Sequence, residues 1–524
     1  MNRDVSSVAA IPGDTVHHPR GLKLLFIVEM WERFSFYGMK AILILYLVAE
    51  ATGENPGRGW SNADGSILMG WYGGMAYLLP VIGGIIADKL IGTHRSMFVG
   101  GLLIALGHVV LGLTGLGELN HTPFGMSVFI FGLALIVIGT GHFKPTVSVM
   151  VGQLYGENDP RRGAGFAIFY MGINLGAFLG QVICPLLGEK IGWHWGFGAA
   201  AVGMLAGLGI YQLGRPYYLQ GIGEAPSRRG GAIAPVFIFV GIALSALFAA
   251  AFHFRVLSNA NEAVIGFITS SPRIGTVLTL AVLLGVVGAV AWFVAIQRPG
   301  EKGPTACIFI FMLFNALFWL AFEQSGTSLN LFALQRTERV VLGWEVPAGW
   351  FQWVNPLCIL LLSPVFAWIW GFLGRRSMDP PQSVKIALGL ILVGLGFLFM
   401  VWGGRLAAEG AKVSMFFLIA TYFWHTVGEL CLSPTGLAFV TRTAPVRFVS
   451  LLMGMWFVSS FIAHIIGGYI AATVESIERG EIKMPWNIGG QADFFMLFVV
   501  SSIAAGVAIL LLTPLLKKML QGRG

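Results

Sequence analysis

Residues 22–49 read LKLLFIVEMWERFSFYGMKAILILYLVA, and this stretch decides the fold. It is long enough to cross a lipid bilayer as one helix, because about 20 apolar residues suffice. Its charged residues beyond the first turn are Glu29, Glu32, Arg33 and Lys40. Four charges at the centre of a bilayer cost roughly 10–14 kcal/mol, more than the apolar residues offset. The charges therefore need partners or a water-filled cavity, and they predict a functional site inside the membrane.

The composition of the whole chain is that of an all-α integral membrane protein. Hydrophobic residues make up 56% of the chain and charged residues 11%, and the mean hydropathy is +0.77. The apolar runs are long and continuous, whereas a transmembrane barrel would show alternating segments of about ten residues. The 71 glycines favour close helix packing in lipid. The four cysteines lie in separate apolar stretches, so no metal site is predicted.

Windows of about 20 apolar residues predict 14 transmembrane helices. These spans lie at about 22–49, 66–90, 95–116, 126–153, 164–188, 193–213, 233–252, 274–297, 304–329, 348–373, 384–403, 413–441, 448–473 and 492–516. Of the 33 Lys and Arg residues, 20 fall on the side of the two termini and 10 on the opposite side. The positive-inside rule therefore places both termini in the cytoplasm, and this topology explains the net charge of +8 without nucleic-acid binding.

The predicted spans are grouped as six, two and six. A Pro/Gly-rich basic stretch, residues 215–231, follows the sixth span, and the next two spans are strongly apolar. Two groups of six helices indicate an internally repeated transporter. The predicted parts are a cytoplasmic tail (1–21), an N-terminal six-helix bundle (22–213), a linker with two extra transmembrane helices (214–303), a C-terminal six-helix bundle (304–516) and a cytoplasmic tail (517–524).

The turn after the second span reads Gly84-Ile-Ile-Ala-Asp88-Lys-Leu-Ile-Gly92-Thr-His-Arg95. It resembles the loop signature of the major facilitator superfamily, in which an aspartate at a helix end and a basic residue after the turn lock two helices together. The resemblance implies the major facilitator fold, with Asp88 and Arg95 as the structural pair. A plain tight turn with a basic flank is the alternative interpretation.

The polar residues of the first span share one face of the predicted helix. At 100° per residue, an arc of roughly 100° holds Glu29, Glu32, Arg33, Phe36 and Lys40, with Tyr37 at its margin. Such a face cannot contact lipid, so it should line a cavity. In a purely structural alternative, Arg33 neutralises Glu29 and Glu32, but Lys40 adds a further charge one to two turns away.

Three more charges lie inside predicted spans without a local partner. They are Lys144 in the fourth span, Glu323 in the ninth and Glu429 in the twelfth. Lys40 and Lys144 thus stand in the first half of the chain, and the two isolated acids stand in the second. Ion pairs between the halves would form and break as the halves move, which is a physical basis for alternating access.

Several motifs resemble those of the proton-dependent oligopeptide transporter family, the peptide transporter branch of the same superfamily. Glu29-Met-Trp-Glu32-Arg33-Phe34-Ser-Phe36-Tyr37 is similar to its E-x-x-E-R-F-x-Y-Y signature, and Phe169-Tyr-Met-Gly-Ile-Asn174-Leu-Gly176 to its F-Y-x-x-I-N-x-G motif. The other matches are the Lys144-Pro145 segment, Phe351-Gln-Trp-Val-Asn355-Pro356, and Glu429 before Ser433-Pro434-Thr-Gly436. The chain is therefore identified as a member of this family, and its two middle helices are typical of bacterial members.

The resemblance implies a proton-coupled symporter that imports di- and tripeptides by alternating access. Arg33 and Lys144 would hold the peptide carboxylate, since guanidinium and ammonium groups suit that role. Glu429, Asn174 and Asn355 would hold the peptide ammonium group. Side-chain pockets would be lined by Tyr37, Tyr77, Trp319, Trp456 and Ser460. Proton coupling and gating would use Glu29, Glu32, Arg33, Lys40, Lys144, Glu323 and Glu429, with Lys40–Glu323 and Lys144–Glu429 as the switching pairs.

Two positions depart from the family pattern. Phe36 replaces the first tyrosine of the Y-Y pair, which removes one hydroxyl contact. Gly70 stands where animal members carry a histidine, so proton uptake should rest on carboxylates. His142, His425 and His464 remain alternatives, although a polar residue satisfied by helix packing is the favoured interpretation of each.

The remaining expectations concern class, partners and location. We expect a transporter rather than an enzyme, driven by the proton gradient without a cofactor, in the inner or plasma membrane. Its partners would be small peptides, protons and the lipid bilayer, with no nucleic acid, and it would act as a monomer. A transporter of the same fold for nitrate or glucosides is the first alternative, but the ammonium-binding acid favours a zwitterion. A polytopic acyltransferase would need a His or Ser beside an acid at an interface, and the sequence offers no such set.

Overall fold

The structure is a computed structural model that describes residues 17–156, 158–256, 258–259, 272–432 and 436–520. The helices of its first part are α1 (Arg20–Val48), α2 (Asn62–Ile86), α3 (Thr93–Leu113), α4 (Pro123–Gln153), α5 (Arg162–Lys190), α6 (Trp193–Tyr218), α7 (Arg228–Ala232) and α8 (Ala234–His253). Those of its second part are α9 (Pro272–Ala295), α10 (Pro299–Phe322), α11 (Ser328–Arg336), α12 (Val354–Arg375), α13 (Gln382–Ala407), α14 (Phe416–Leu432), α15 (Gly436–Thr443), α16 (Val449–Ala471), α17 (Val474–Glu478) and α18 (Ala492–Leu520).

Short turns and strand pairs connect these helices. The turns are π-helical at Ala87–Ile91 and 3-10 helical at Gly117–His121, Glu323–Gly326, Ala348–Trp353 and Val446–Phe448. The strands are β1 (Thr337–Glu338), which pairs parallel with β4 (Val413–Ser414), and β2 (Val340–Val341), which pairs antiparallel with β3 (Trp344–Glu345). The strands are only two residues long, so the core is made by helices packing on helices.

The number of long apolar helices identifies a multi-pass membrane protein. Eleven of the described helical segments are long and apolar enough to span a bilayer. Helix α1 is not among them, because its charged residues interrupt its apolar run. Most of α1 is nevertheless buried, mainly against α5 and α6. Its charges therefore face protein rather than lipid, as intramembrane charges do.

Local sequence determines where two of the long helices begin. At the start of α2, Ser61 Oγ accepts the N–H of Asp64 at 3.0 Å. At the start of α4, Thr122 Oγ1 accepts the N–H of Gly125 at 2.9 Å. Both are N-cap hydrogen bonds, which satisfy N–H groups that have no partner within the helix. Pro123 takes the first position of α4, where its missing N–H has no consequence.

The predicted span at about 304–329 is not a single helix. In the span at about 304–329, α10 ends at Phe322 and a 3-10 turn carries Glu323 before α11 begins. The 3-10 turn does not continue directly into α11, because Thr327 between them has a φ of −126° and a ψ of −98°, which are not helical values. The break places the Glu323 carboxylate at a helix end. Of the span at about 413–441, the structure describes α14 and α15, and Ser433 and Pro434 lie outside the described residues.

Glycines on α5 bring this helix against the backbone of α1. A Cβ placed on Gly176 would lie 2.1 Å from the carbonyl oxygen of Met30, and one on Gly180 would lie 2.3 Å from that of Phe34. Small residues four positions apart allow this close approach of two helices. Gly176, the last residue of the F-Y-x-x-I-N-x-G motif, therefore positions the charged segment of α1.

Replacing Gly176 with leucine should destabilise the protein by about 3 kcal/mol, because overpacked side chains displace the neighbouring backbone. The matched control is Gly209→Leu in α6, where a Cβ would meet nothing within 4 Å. Thermal unfolding of the purified variants in detergent measures the difference. Equal melting temperatures for the two variants would contradict the packing role of Gly176.

The loop between α2 and α3 does not contain the predicted ion pair. Asp88 is exposed in the π-helical turn, and within the described residues no ion pair joins it to Arg95. Arg95 instead faces the linker after α6, where a Cβ on Gly231 would lie 2.8 Å from its Cζ. The same linker approaches through the carbonyl of Gly223, which accepts the N–H of His94 at 3.0 Å. The linker therefore packs against this loop on the side of Arg95 and leaves Asp88 exposed.

Candidate functional site

The charged residues of α1 form a compact buried cluster. Arg33 Nε lies 2.9 Å from Glu29 Oε1 and 2.6 Å from Glu32 Oε2, and all three residues are at most 4% exposed. The guanidinium also lies over the ring of Phe36, with its Cζ 5.7 Å from the ring centroid. With both carboxylates ionised, the cluster has a net charge of −1. It therefore neutralises the charge of Arg33 and leaves an excess negative charge to attract a cation.

Lys144 of α4 supplies a positive charge near this cluster. Its Nζ lies 3.5 Å from the centroid of the Tyr77 ring, a cation–π contact with α2. It also interacts electrostatically with Glu29, Glu32 and Glu323. Lys144 thus lies within the field of acids from α1 and from the turn after α10.

Lys40 and Glu323 form the contact between the two halves of the chain that the sequence predicts. Lys40 Nζ lies 2.5 Å from Glu323 Oε2, and both side chains are 11% exposed. His464 of α16 reaches the other carboxylate oxygen, with its Nε2 3.3 Å from Glu323 Oε1. The helix break before α11 makes this possible, because Gly326 leaves room for the Lys40 side chain. The role of the pair as a switch stays a prediction.

The second predicted pair, between Lys144 and Glu429, is not formed. The described ion pairs contain none between these residues, and Lys144 lies over Tyr77 instead. Asn355 of α12 takes the place of the lysine, because its Nδ2 donates to Glu429 Oε2 at 2.8 Å and approaches Thr426 Oγ1 at 3.0 Å. Glu429 is 8% exposed. The structure therefore groups Asn355 with Glu429, as predicted, but leaves Lys144 apart from them.

The other predicted binding residues occupy varied surroundings. Tyr37 is half-buried and interacts electrostatically with Arg33, Glu323 and Glu429, so it lies between the charged groups. Asn174 donates its Nδ2 to the carbonyl of Tyr170 at 3.0 Å, within its own helix. Three further positions are Trp319, whose Nε1 donates to Asn315 Oδ1 at 3.2 Å, Trp456, which packs on Gly436, and Ser460, whose carbonyl accepts from His464.

The three intramembrane histidines differ in what they contact. His142 Nδ1 lies 3.1 Å from Ser96 Oγ, and His425 packs on the Phe397 ring with centroids 4.6 Å apart. His142 therefore has the polar partner that was expected, whereas His425 packs on aromatic rings. His464 is different, because its Nε2 faces the Glu323 carboxylate. The three histidines look alike in the sequence, and only their neighbours in the structure distinguish them.

Glu189 at the end of α5 is a residue that sequence reasoning missed. Its carboxylate accepts the N–H of Ala348 at 2.7 Å and the N–H of Gly349 at 2.8 Å, and Arg339 Nη1 lies 3.8 Å away. An anion is favoured there because the first N–H groups of a helical turn have no internal partner. Its partners lie about 160 positions further along the chain, so no local sequence signal could have identified it. Trp350 Nε1 also donates to the Val182 carbonyl at 2.8 Å, so a second hydrogen bond joins the same 3-10 turn to α5.

Similarity to known proteins decides the family. A sequence model of the POT family matches residues 94–486, most of the chain. The chain belongs to the POT family. It is 36% identical to the peptide transporter YePEPT of Yersinia enterocolitica, over 97% of this chain and 96% of that relative. It is 35% identical to a di-/tripeptide transporter of Lactococcus lactis subsp. cremoris, over 96% of each chain.

Solved structures agree with this assignment. The POT chain superposes on a crystal structure of peptide transporter POT in complex with sulfate with a TM-score of 0.78, at 34% identity and 97% coverage of each chain. A POT family transporter in complex with 5-aminolevulinic acid gives a TM-score of 0.76 at 30% identity, over 95% of this chain and 97% of the other. The predicted family is confirmed. This family and these relatives are transporters rather than enzymes, and the POT chain is a multi-pass membrane protein.

Proposed function

We propose that this POT family member is a proton-coupled symporter that imports di- and tripeptides by alternating access. The ion pair between Lys40 and Glu323 carries the proposal, because it joins the first helix to the second half of the chain beside the Arg33 cluster. A buried charge pair of this kind is a switch that one proton can open. The named activities of the relatives support small peptides as the substrate.

The proposed architecture has 14 membrane-spanning helices in a 6 + 2 + 6 order, with both termini in the cytoplasm. The N-terminal bundle (22–213) and the C-terminal bundle (304–516) would move relative to each other. The two helices within 214–303 would face lipid, and the tails would be 1–21 and 517–524. The protein would act as a monomer in the inner or plasma membrane, with the proton gradient as its energy source and no cofactor.

The carboxylate end of the peptide would bind Arg33 and Lys144. Both contacts of Arg33 with Glu29 and Glu32 use Nε, so its two terminal nitrogens can form a fork with a ligand carboxylate. Lys144 would add a single charged donor from α4. In a different state of the cycle, Lys144 would pair with Glu429 instead, as the sequence predicts.

The ammonium end of the peptide would bind Glu429. Asn355 already lies 2.8 Å from this carboxylate and orients it. Asn174 would contribute its side-chain oxygen, because its Nδ2 is used within α5. The pockets for peptide side chains would be lined by Tyr37, Tyr77, Trp319, Trp456 and Ser460. Aromatic walls accept many side chains, so the charged ends would select the peptide backbone and the pockets would stay permissive.

Proton binding would control the pair between Lys40 and Glu323. A proton on Glu323 removes its negative charge, so its attraction for Lys40 is lost and the two bundles can separate at that place. A proton on Glu29 or Glu32 would release Arg33 from one of its two carboxylates. Peptide binding to the released groups would then allow the opposite side to open.

The direct test is uptake of a labelled dipeptide into proteoliposomes with an imposed inward proton gradient. Accumulation should depend on the gradient. Unlabelled N-acetylated or C-amidated dipeptides should compete about 10- to 100-fold less well than free dipeptides, because each lacks a charge-assisted contact. Absence of gradient-dependent uptake for any di- or tripeptide would overturn the proposal. Competition by nitrate without competition by dipeptides would favour an anion transporter of the same fold.

Glu189 provides a separate prediction about the contact between α5 and the 3-10 turn at Ala348–Trp353. Glu189→Ala should favour separation of the bundles there, because it removes the acceptor of two backbone N–H groups. Spin labels at the exposed positions Thr52 and Leu342 would report a longer distance by pulsed electron paramagnetic resonance. Glu345→Ala is the control, since Glu345 also pairs with Arg339 but is 47% exposed. Identical distance distributions for both variants would show that the hydrogen bonds of Glu189 do not hold the bundles together.

A further inference from the structure

His464 has a hydrogen bond that assigns its protons. The residue is 5% exposed, and its Nδ1 lies 2.8 Å from the backbone carbonyl of Ser460, one turn earlier in α16. A carbonyl oxygen only accepts, so Nδ1 must carry the hydrogen. In the neutral imidazole, Nε2 is then the nitrogen with the free lone pair.

That free nitrogen faces a carboxylate. Nε2 lies 3.3 Å from Glu323 Oε1, and no other group of the described residues hydrogen-bonds it. An unprotonated Nε2 and an ionised carboxylate are both acceptors, so their contact at this distance is unfavourable. The contact is stabilised only when one proton resides on Nε2 or on Oε1. The other oxygen, Oε2, is held by Lys40 Nζ at 2.5 Å.

We propose that His464 is a positioning residue that holds the coupling proton next to Glu323, an inference that rests on the proposed symport function. With the proton on Nε2, the carboxylate lies between two cations, the imidazolium and the Lys40 ammonium. When the proton moves, the Nε2–H bond breaks and an O–H bond forms on Oε1. The imidazole and the carboxyl group both become neutral, and Lys40 keeps its charge without a partner.

The surroundings of the ring are built to hold it at this place. A Cβ on Gly73 of α2 would lie 2.4 Å from His464 Cδ2, so only a glycine leaves room for the imidazole. The Tyr77 ring packs against it with centroids 4.9 Å apart. Among the described residues, the charged and titratable groups around His464 are Glu323 after α10, Lys40 on α1, Tyr77 on α2, and Lys144 on α4, which contacts the Tyr77 ring.

The test is His464→Gln, which keeps a polar side chain of similar size but cannot carry a proton at physiological pH. Gradient-driven dipeptide uptake should fall about tenfold, while counterflow exchange without a gradient should stay within about twofold of the wild type. The increase of uptake on acidification of the outer medium should become shallower. His142→Gln is the matched control, because His142 contacts Ser96 rather than an acid, and it should leave this pH profile unchanged.

A double variant separates coupling from general damage. If one proton is shared, His464→Gln combined with Glu323→Gln should be no more severe than Glu323→Gln alone. Should His464→Gln fail to reach the membrane, Gly73→Ala displaces the ring instead and should give the same pH profile, with Gly209→Ala as control. A wild-type pH profile and wild-type gradient-driven uptake in His464→Gln, or in Gly73→Ala when that is the variant tested, would overturn the proposal. Absence of peptide exchange in the wild type would overturn the symport function itself.

Discussion

Glu323→Gln is expected to abolish gradient-driven accumulation of dipeptides while counterflow exchange continues. Glutamine has the shape of a protonated glutamate, so the variant should behave as if the proton never left. Lys40 loses the negative charge of the carboxylate that now lies 2.5 Å from its Nζ, so the ion pair that links the two bundles is lost. Removing the charge of one partner of a buried pair costs about 3 kcal/mol, so the equilibrium between paired and separated bundles should shift about 100-fold and gradient-driven accumulation should be lost.

Glu345→Gln is the control for this prediction. Glu345 also forms ion pairs with two basic residues, Lys190 and Arg339, but its side chain is 47% exposed, so its contribution should be small. Uptake with and without the gradient should match the wild type. If Glu323→Gln still concentrated a dipeptide against its gradient, Glu323 could not be the coupling acid. Exchanging the charges of Lys40 and Glu323 gives a second test, because the swapped pair should recover stability without recovering coupling.

Arg33→Gln is expected to be the most damaging single change in the first helix. It would leave Glu29 and Glu32 buried, at most 4% exposed, without their shared counter-charge. Removing one partner of a buried ion pair costs about 3–5 kcal/mol. The variant should therefore unfold at a clearly lower temperature and take up no peptide, since the forked contact for the substrate carboxylate is also lost.

A triple variant distinguishes the two causes. Glu29→Gln, Glu32→Gln and Arg33→Gln together remove all three charges, so thermal stability should return towards the wild type. Peptide uptake should not return, because no guanidinium remains to bind the carboxylate. Wild-type uptake by the triple variant would show that this cluster only stabilises the fold and would remove Arg33 from the binding site.

The count of intramembrane charges predicted ion pairs between the two halves of the chain, and the resemblance to the family named the partners. Lys40 and Glu323, one of the two named pairs, do meet. Lys144 and Glu429 do not meet in this structure, because Asn355 donates to Glu429 and Lys144 lies over the Tyr77 ring, and their pairing in another state of the cycle stays a prediction. A count of charged residues cannot identify a neutral amide or an aromatic ring as the partner of a charge.

Glu189 and His464 illustrate what was beyond the reach of sequence. Glu189 binds two backbone N–H groups, and every residue has a backbone, so no side-chain pattern reveals the partner. His464 differs from His142 and His425 only through the groups beside its ring. His464 is distinct because it lies next to the Glu323 carboxylate and next to Gly73, which has no side chain to displace the ring.

The sequence by itself determined the class of the protein, the positions of its apolar helices and the residues of α1 that lipid cannot accept. These follow from transfer free energies, which are properties of single residues and add along the chain. Only the tertiary structure decided which charges meet, where α10 breaks to present Glu323, and which histidine faces that acid. Electrostatic and hydrogen-bond energies depend on distances of a few ångströms between residues hundreds of positions apart, and folding alone sets those distances.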